Sequence, residues 1–149
     1  MPNSQVDFYL IANQVSDAKY KFASRLANKL QRLKQKTLLV VADPQSFQTL
    51  DKIMWSYSDT SFVAHENASE ASIDTIVHLA VPAQIDDKLL HNKYKVVINL
   101  TDSVLDRCTQ VERIAEIVEH SETAKSSARE RFRVYQAQDY AIKTHNIEL

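Results

Sequence analysis

The side chains best suited to chemistry lie near the C-terminus, in residues 124–140. This segment has no Gly or Pro and is rich in Ala, Arg, Glu and Gln, which predicts a helix. At about 100° per residue, Lys125, Arg129 and Arg133 fall along one narrow stripe, and Phe132 lies beside it. Three cations and an aromatic ring on one face would suit an acidic peptide segment that carries an apolar anchor.

A second interpretation of this helix is an ordinary solvated helix with one apolar edge, formed by Ala128 and Tyr135. Charged stripes on helices usually face water and bind nothing. Taken alone, the residues of this segment leave both interpretations open.

The composition limits the classes of function. The chain has 149 residues, of which 44% are hydrophobic and 25% charged, and its formal net charge is −1, so any basic site must be local. A lone cysteine, Cys108, excludes an intrachain disulfide and fits a reducing compartment. The sequence shows no signal peptide and no apolar run near the ~20 residues that a membrane helix needs. We therefore expect a cytoplasmic protein that does not contact membranes.

Glycine is absent from the chain. Phosphate-binding loops need glycine for close approach of the backbone, so neither a P-loop nor a GxGxxG motif can exist here. HExxH, CxxC and clustered His/Cys patterns are also missing, which predicts no metal site and no cofactor. Without a recognisable catalytic motif, we expect a protein that is not an enzyme.

Apolar runs and helical periodicities alternate along the chain. Buried strands are predicted at residues 6–12, 37–42, 75–81 and 94–100. The pattern favours a single three-layer α/β/α domain over 1–149 with a mostly parallel central sheet, Rossmann-like but without a nucleotide-binding loop.

The helix signals are more local. Ser16 is a candidate cap for a helix with Phe22, Leu26, Leu30 and Leu33 on its buried side. Asp43 precedes Pro44 as a cap, and a short helix or turn is expected at 84–93. A further helix is predicted to begin at Thr101 or Asp102 and to bury the following apolar residues: Val104, Leu105, Cys108, Val111, Ile114, Ala115 and Val118. The polar segment 141–149 is predicted to be a mobile tail.

Four short segments carry a resemblance to a known family. These are FYLI at 8–11, LDKIMW at 50–55, SFVAH at 61–65 and ARERFRVY at 128–135. In this order and spacing the chain resembles the chi subunit of bacterial DNA polymerase III holoenzyme. The chain departs from the family pattern in three places. A proline is frequent where this chain has Ala64, and a glycine is frequent where it has Asp139. The family also often has a glycine-containing stretch where this chain has the segment 67–75, which contains no glycine.

The resemblance implies a non-catalytic accessory subunit of the replicative polymerase clamp-loader complex. Such a subunit links the psi subunit to the acidic C-terminal tail of single-stranded DNA-binding protein, and it meets DNA only indirectly. The positions matching the psi-binding motif are Trp55, Phe62, Val63 and His65. Those matching the tail-binding motif are Lys125, Arg129, Phe132 and Arg133, with Val118 as a wall of the pocket. A monomer, or a 1:1 heterodimer with psi, is the implied state.

Two other functions compete with this one. The basic first predicted helix and the stripe of Lys125, Arg129 and Arg133 could together follow a nucleic acid backbone, with Tyr or Phe side chains stacking on bases, so the chain could be a direct single-stranded nucleic acid-binding module. The formal net charge of −1 weakens this interpretation, and the charges of the first helix are spread around it. An enzyme of nucleotide metabolism on the same α/β scaffold is the third possibility.

Overall fold

The computed structural model describes residues 5–56, 65–68, 75–90, 93–105 and 111–149. Within these residues, strands and helices alternate from the start. The first half contains β1 (Gln5–Ile11), α1 (Ala18–Arg32), β2 (Thr37–Val40), α2 (Pro44–Ser56), β3 (His65–Asn67) and β4 (Val77–Ala80). The second half contains a 3₁₀ turn (Pro82–Gln84), α3 (Asp87–Leu90), β5 (Val96–Asn99), β6 (Arg113–Val118), α4 (Glu122–Ala137) and β7 (Ala141–Ile147).

The seven strands form one sheet in the order β3-β4-β2-β5-β6-β1-β7. Every pairing in it is parallel, which sharpens the prediction of a mostly parallel sheet. The inner strands β2, β4 and β5 are buried along their whole length, as expected for strands covered on both faces. The predicted α/β fold class is therefore confirmed.

Each face of the sheet packs against its own helices. Phe22 and Leu26 of α1 and Leu50 and Met54 of α2 cover one face. Ala128 and Tyr135 of α4, with Leu89 of α3, cover the other face. Neighbouring strand residues such as Leu38 and Leu39 point to opposite cores, so the sheet is the middle layer of three. None of the described helices has the length and apolarity that crossing a membrane requires.

The helix predicted after Thr101 or Asp102 is wrong in its described part, because Arg113–Val118 is the strand β6. Ile114, Ala115 and Val118 satisfy a helical spacing, but they satisfy a two-sided buried strand equally well. Both faces of β6 are buried, and Glu116 is fully inaccessible to solvent. Cys108 lies outside the described residues.

The segment 141–149, expected to be a mobile tail, contains β7, which pairs with β1 along its whole length. Its polar composition reflects its place at the edge of the sheet, where its side chains are exposed or half-buried. The His145 ring donates to Asp7 at 3.0 Å and stacks on Tyr9, with 4.9 Å between ring centroids. These contacts fasten the C-terminus to the first strand.

The ends of α1 differ from expectation. Asp17, not Ser16, precedes the helix, and it has a left-handed backbone with no side-chain cap. Leu33 follows the last helical residue and is 56% exposed, so it does not extend the buried side. At α2, by contrast, the predicted cap is confirmed: the Ser46 amide donates to Asp43 at 2.7 Å, and this contact lowers the pKa of the Asp43 carboxyl.

The absence of glycine has a structural cost at helix ends. Lys34 follows α1 at φ 56°, and Asp139 follows α4 at φ 62°. Each closes a Schellman motif: the Gln35 amide donates to the Leu30 carbonyl at 2.9 Å, and the Tyr140 amide to the Tyr135 carbonyl at 3.2 Å. Glycine usually takes this position, because a side chain disfavours the left-handed backbone.

We therefore expect Lys34→Gly to raise the free energy of unfolding by about 1 kcal/mol, since glycine removes the left-handed strain. Lys29→Gly is the matched control: Lys29 is an exposed lysine inside the same helix, where glycine costs about 1 kcal/mol. Urea unfolding of both variants gives the measurement. Two changes of the same sign would contradict this account of the helix end.

Candidate functional site

A cavity of about 480 Å³ lies between α4 and the strands β1, β6 and β7. All five residues predicted for tail binding line it. They are Val118, Lys125, Arg129, Phe132 and Arg133. The remaining lining residues are Phe8, Leu10, Ile11, Glu119, Ala128, Gln136 and Thr144. The structure thus brings the α4 stripe and the end of β6 together in one concave site.

The floor of the cavity is apolar. Phe8 and Val118 are buried, and Phe132 is half-buried, with its ring 5.6 Å from that of Phe8. Because its inner edge packs on β1, Phe132 has a defined position while part of its ring faces the cavity. The floor suits an apolar or aromatic side chain.

The rim of the cavity is cationic. Arg129 and Arg133 are exposed and Lys125 is half-buried. None of the salt bridges among the described residues involves these three cations. Glu119 brings one carboxylate to the cavity, a residue that the sequence analysis did not single out. The rim therefore presents positive charge that is available to an anionic ligand.

A buried polar network fixes α4 against the sheet. Arg131 Nε donates to Glu116 Oε1 at 2.9 Å, and both side chains are almost fully inaccessible. Tyr135 and Asn99 donate to Glu116 Oε2 at 2.5 and 2.9 Å. Since Arg131 precedes Phe132, the network sets the rotation of α4 and hence the direction of its cationic stripe.

The network has clear electrostatic consequences. Burial raises the pKa of the Glu116 carboxyl, while the Arg131 guanidinium acts in the opposite direction. Burial and the neighbouring Glu116 raise the pKa of the Tyr135 hydroxyl. The sequence analysis missed this pair because it placed Glu116 in a helix. The sequence does carry a sign of this pair: Glu116 is an acidic residue within an apolar run, and Arg131 follows in the next helix.

A second surface surrounds Trp55 at the end of α2. Trp55 is 52% exposed, and its indole N–H donates to Asp51 at 3.1 Å. His65, at the start of β3, is buried; it donates to the same Asp51 oxygen at 2.8 Å and its ring lies 4.6 Å from that of Trp55. Asp51 therefore holds both aromatic side chains in place.

Of the four residues predicted for psi binding, the structure brings together Trp55 and His65. Phe62 and Val63 lie outside the described residues. Asp51 was not predicted, although its spacing of four residues before Trp55 places the two on one side of a helix.

No group of three or more potential metal ligands occurs in the described part of the chain.

Structural similarity extends to a larger protein. The crystal structure of T4 UvsW matches with a TM-score of 0.71 and 7% sequence identity. The match covers 97% of this chain and 41% of that one. At this identity the likeness concerns the fold alone.

Sequence comparison is more specific. The family model "DNA polymerase III chi subunit, HolC" matches residues 3–143. DNA polymerase III subunit chi of Pseudomonas aeruginosa is 30% identical over 145 residues, which is 97% of each chain. The Escherichia coli subunit chi is 25% identical over 142 residues, covering 92% of this chain and 94% of that one. The chain therefore belongs to the DNA polymerase III chi subunit family, whose members are accessory subunits of that polymerase.

Proposed function

We propose that this chain is a non-catalytic adaptor that links the psi subunit to the acidic C-terminal tail of single-stranded DNA-binding protein. The observation that carries the proposal is the cavity beside α4, in which an apolar floor meets a cationic rim. An acidic segment that ends in an aromatic residue has the complementary arrangement of charge and shape.

The tail would use two kinds of contact. Its terminal phenyl ring would rest on the apolar floor of the cavity, beside the part of the Phe132 ring that faces it. Its aspartates and terminal carboxylate would accept hydrogen bonds from Arg129, Arg133 and Lys125 on the rim. Arginine suits this role because its planar guanidinium can donate two parallel hydrogen bonds to one carboxylate.

The surface around Trp55 supports the other half of the proposal. A tryptophan that is 52% exposed and held by a hydrogen bond has the character of an interface anchor. Its partner His65 is in β3, at one edge of the sheet, whereas the tail cavity reaches β7 at the other edge. Six strand spacings of about 4.8 Å separate the two edges by roughly 29 Å. Psi and the tail would therefore bind without competing.

Arg129→Ala tests the tail site. The variant should bind a peptide carrying the acidic tail about ten- to a hundredfold more weakly, because a charge-assisted hydrogen bond contributes about 1.5–3 kcal/mol. Isothermal titration measures the affinity, and psi binding should stay unchanged. Affinity should also fall with added salt, since Arg129 is exposed and the Debye length is only about 8 Å at physiological ionic strength.

Two controls make the test specific. Arg32→Ala removes an arginine that is also exposed, from α1 on the other face of the sheet, and should leave the peptide affinity unchanged. A peptide without its terminal Phe should bind poorly even to the wild type, because charge alone gives little register. If Arg129→Ala binds the tail as tightly as the wild type does, the stripe is a solvated face and the proposed tail site is wrong.

A further inference from the structure

Helix α1 carries a second cluster of cations on the opposite side of the molecule from the tail cavity. Its 15 residues include five cations and no acidic residue. Four of the five, Lys21, Arg25, Lys29 and Arg32, fall within about 80° of one another at 3.6 residues per turn. We call these four residues the basic face. They form a stripe, although the sequence analysis described the charges of this helix as spread around it.

The basic face points away from the core. The buried side of the helix includes Phe22, Leu26 and Leu30, and the centre of the basic face lies about 135° around the helix from the centre of the buried residues. Arg25, Lys29 and Arg32 are exposed, and Lys21 is half-buried. From Lys21 to Arg32 the stripe is about 16 Å long at a rise of 1.5 Å per residue.

The charges of the basic face are not neutralised within the described part of the molecule, where each salt bridge involves some other cation. Arg25 lies over the ring of the buried Phe22, with its guanidinium carbon 5.8 Å from the ring centroid, which directs this side chain along the surface. The exposed Lys34, just beyond the helix, continues the positive charge. Because the whole chain has a formal net charge of −1, this concentration of charge is local.

We propose that the basic face binds the phosphodiester backbone of nucleic acid without reading its sequence. A phosphate backbone needs a row of cations and no apolar pocket. A stripe of about 16 Å spans four to five phosphates of one strand at a rise of about 3.4 Å per phosphate. An acidic peptide with an apolar anchor would need a floor like that beside α4, whereas the basic face has Leu33 only at its end.

The position of the basic face would allow a DNA contact and tail binding at the same time. The tail cavity lies under α4 on one face of the sheet, and α1 covers the other face. A chain that holds a protein tail at α4 could therefore touch the DNA strand with α1 at the same time. A contact of this kind would be direct, whereas the family resemblance implies that DNA is met only indirectly.

Fluorescence anisotropy with a labelled deoxythymidine oligonucleotide of about 20 nucleotides tests the proposal. Four neutralised phosphates predict a slope of about −3 for log K against log salt, which is about a 50-fold loss of affinity between about 50 and 200 mM salt. The double variant Arg25→Glu/Lys29→Glu should weaken binding at low salt more than tenfold and reduce the slope to about −1. A duplex of the same length shows whether the face distinguishes single from double strands.

The matched control is Lys52→Glu/Lys143→Glu, which makes the same change in net charge at exposed positions on α2 and β7. It should keep most of the wild-type affinity. No binding by the wild type at low salt would overturn the proposal, as would an equal loss in the control. Loss with Lys125→Glu/Arg129→Glu and not with the basic-face variant would move the DNA contact to α4.

Titration of the basic-face variant with the acidic tail peptide separates this proposal from the proposed function. Unchanged peptide affinity, together with lost oligonucleotide binding, is the expected result. Failure of either site leaves the other standing, because the two sites share no residue. A basic-face variant that lost the peptide and kept the oligonucleotide would assign α1 to protein binding and refute the DNA contact.

Discussion

Arg131→Ala is expected to lower the free energy of unfolding by about 3–5 kcal/mol, a large part of the 5–15 kcal/mol that stabilises a domain. The substitution removes the cationic partner of Glu116, whose carboxylate is fully buried. Tyr135 and Asn99 still donate hydrogen bonds, but no positive charge replaces the guanidinium. For a chain of this size the melting temperature should fall by about 6–20 °C.

The pH dependence of this loss identifies its cause. Burial raises the pKa of Glu116 above its ordinary value of 4.5, and removal of Arg131 raises the folded-state pKa further. A group with a raised folded-state pKa contributes its stability at pH values below the unfolded pKa, and that contribution is lost as the pH rises through the folded pKa. Arg131→Ala should therefore be most damaging at high pH and less so near pH 5. A loss due only to the missing side-chain volume would not change with pH.

Arg133→Ala is the control for this experiment, since Arg133 is exposed two residues further along the same helix. It should change the free energy of unfolding by less than about 0.5 kcal/mol. The double substitution Glu116→Gln/Arg131→Met should recover part of the stability, because it removes both buried charges and keeps a side-chain oxygen that can accept from Tyr135 and Asn99. Equal losses for Arg131→Ala and Arg133→Ala would mean that the buried pair does not hold α4.

The fold could be predicted where local pattern and burial agree. β2 and β5 are short apolar runs between polar segments, and α1 and α2 show clear helical periodicity. β6 could not be identified, because a strand buried on both faces and the buried side of a helix share the same apolar spacing. The residue that would have distinguished them, Glu116, has its partner on α4, fifteen positions away in the sequence.

The last strand was missed for a different reason. β7 is polar because it is an edge strand of the sheet that the described residues form, and its pairing with β1 brings the two ends of the described chain together. Local sequence carries no sign of such a long-range contact, which here includes the hydrogen bond between Asp7 and His145. Long-range contacts also limited the prediction of the site. The spacing of Lys125, Arg129 and Arg133 predicted the cationic stripe of α4, but local sequence did not show that Phe8, Leu10 and Thr144 form the opposite wall of the cavity.

Trp55→Ala is expected to weaken binding to psi about thirtyfold or more, while the domain stays folded. Truncation of an aromatic residue at the centre of an interface costs about 2 kcal/mol or more of binding free energy. Because Trp55 is already 52% exposed, its contribution to folding, which includes the packing against His65 and the hydrogen bond to Asp51, should be smaller than that of a core aromatic residue. We expect a stability loss of about 1 kcal/mol, or roughly 2–4 °C in melting temperature.

Leu33→Ala is the matched control, because Leu33 is a large apolar residue with a similar exposure of 56% on a different surface. It should leave psi binding unchanged, so that loss of binding in Trp55→Ala reports the position of the side chain and not merely lost apolar area. Titration of purified psi gives the affinity, and circular dichroism melting gives the stability. A Trp55→Ala protein that binds psi normally would remove Trp55 from the interface. One that melts more than about 10 °C lower would show that the indole acts as a core residue despite its exposure.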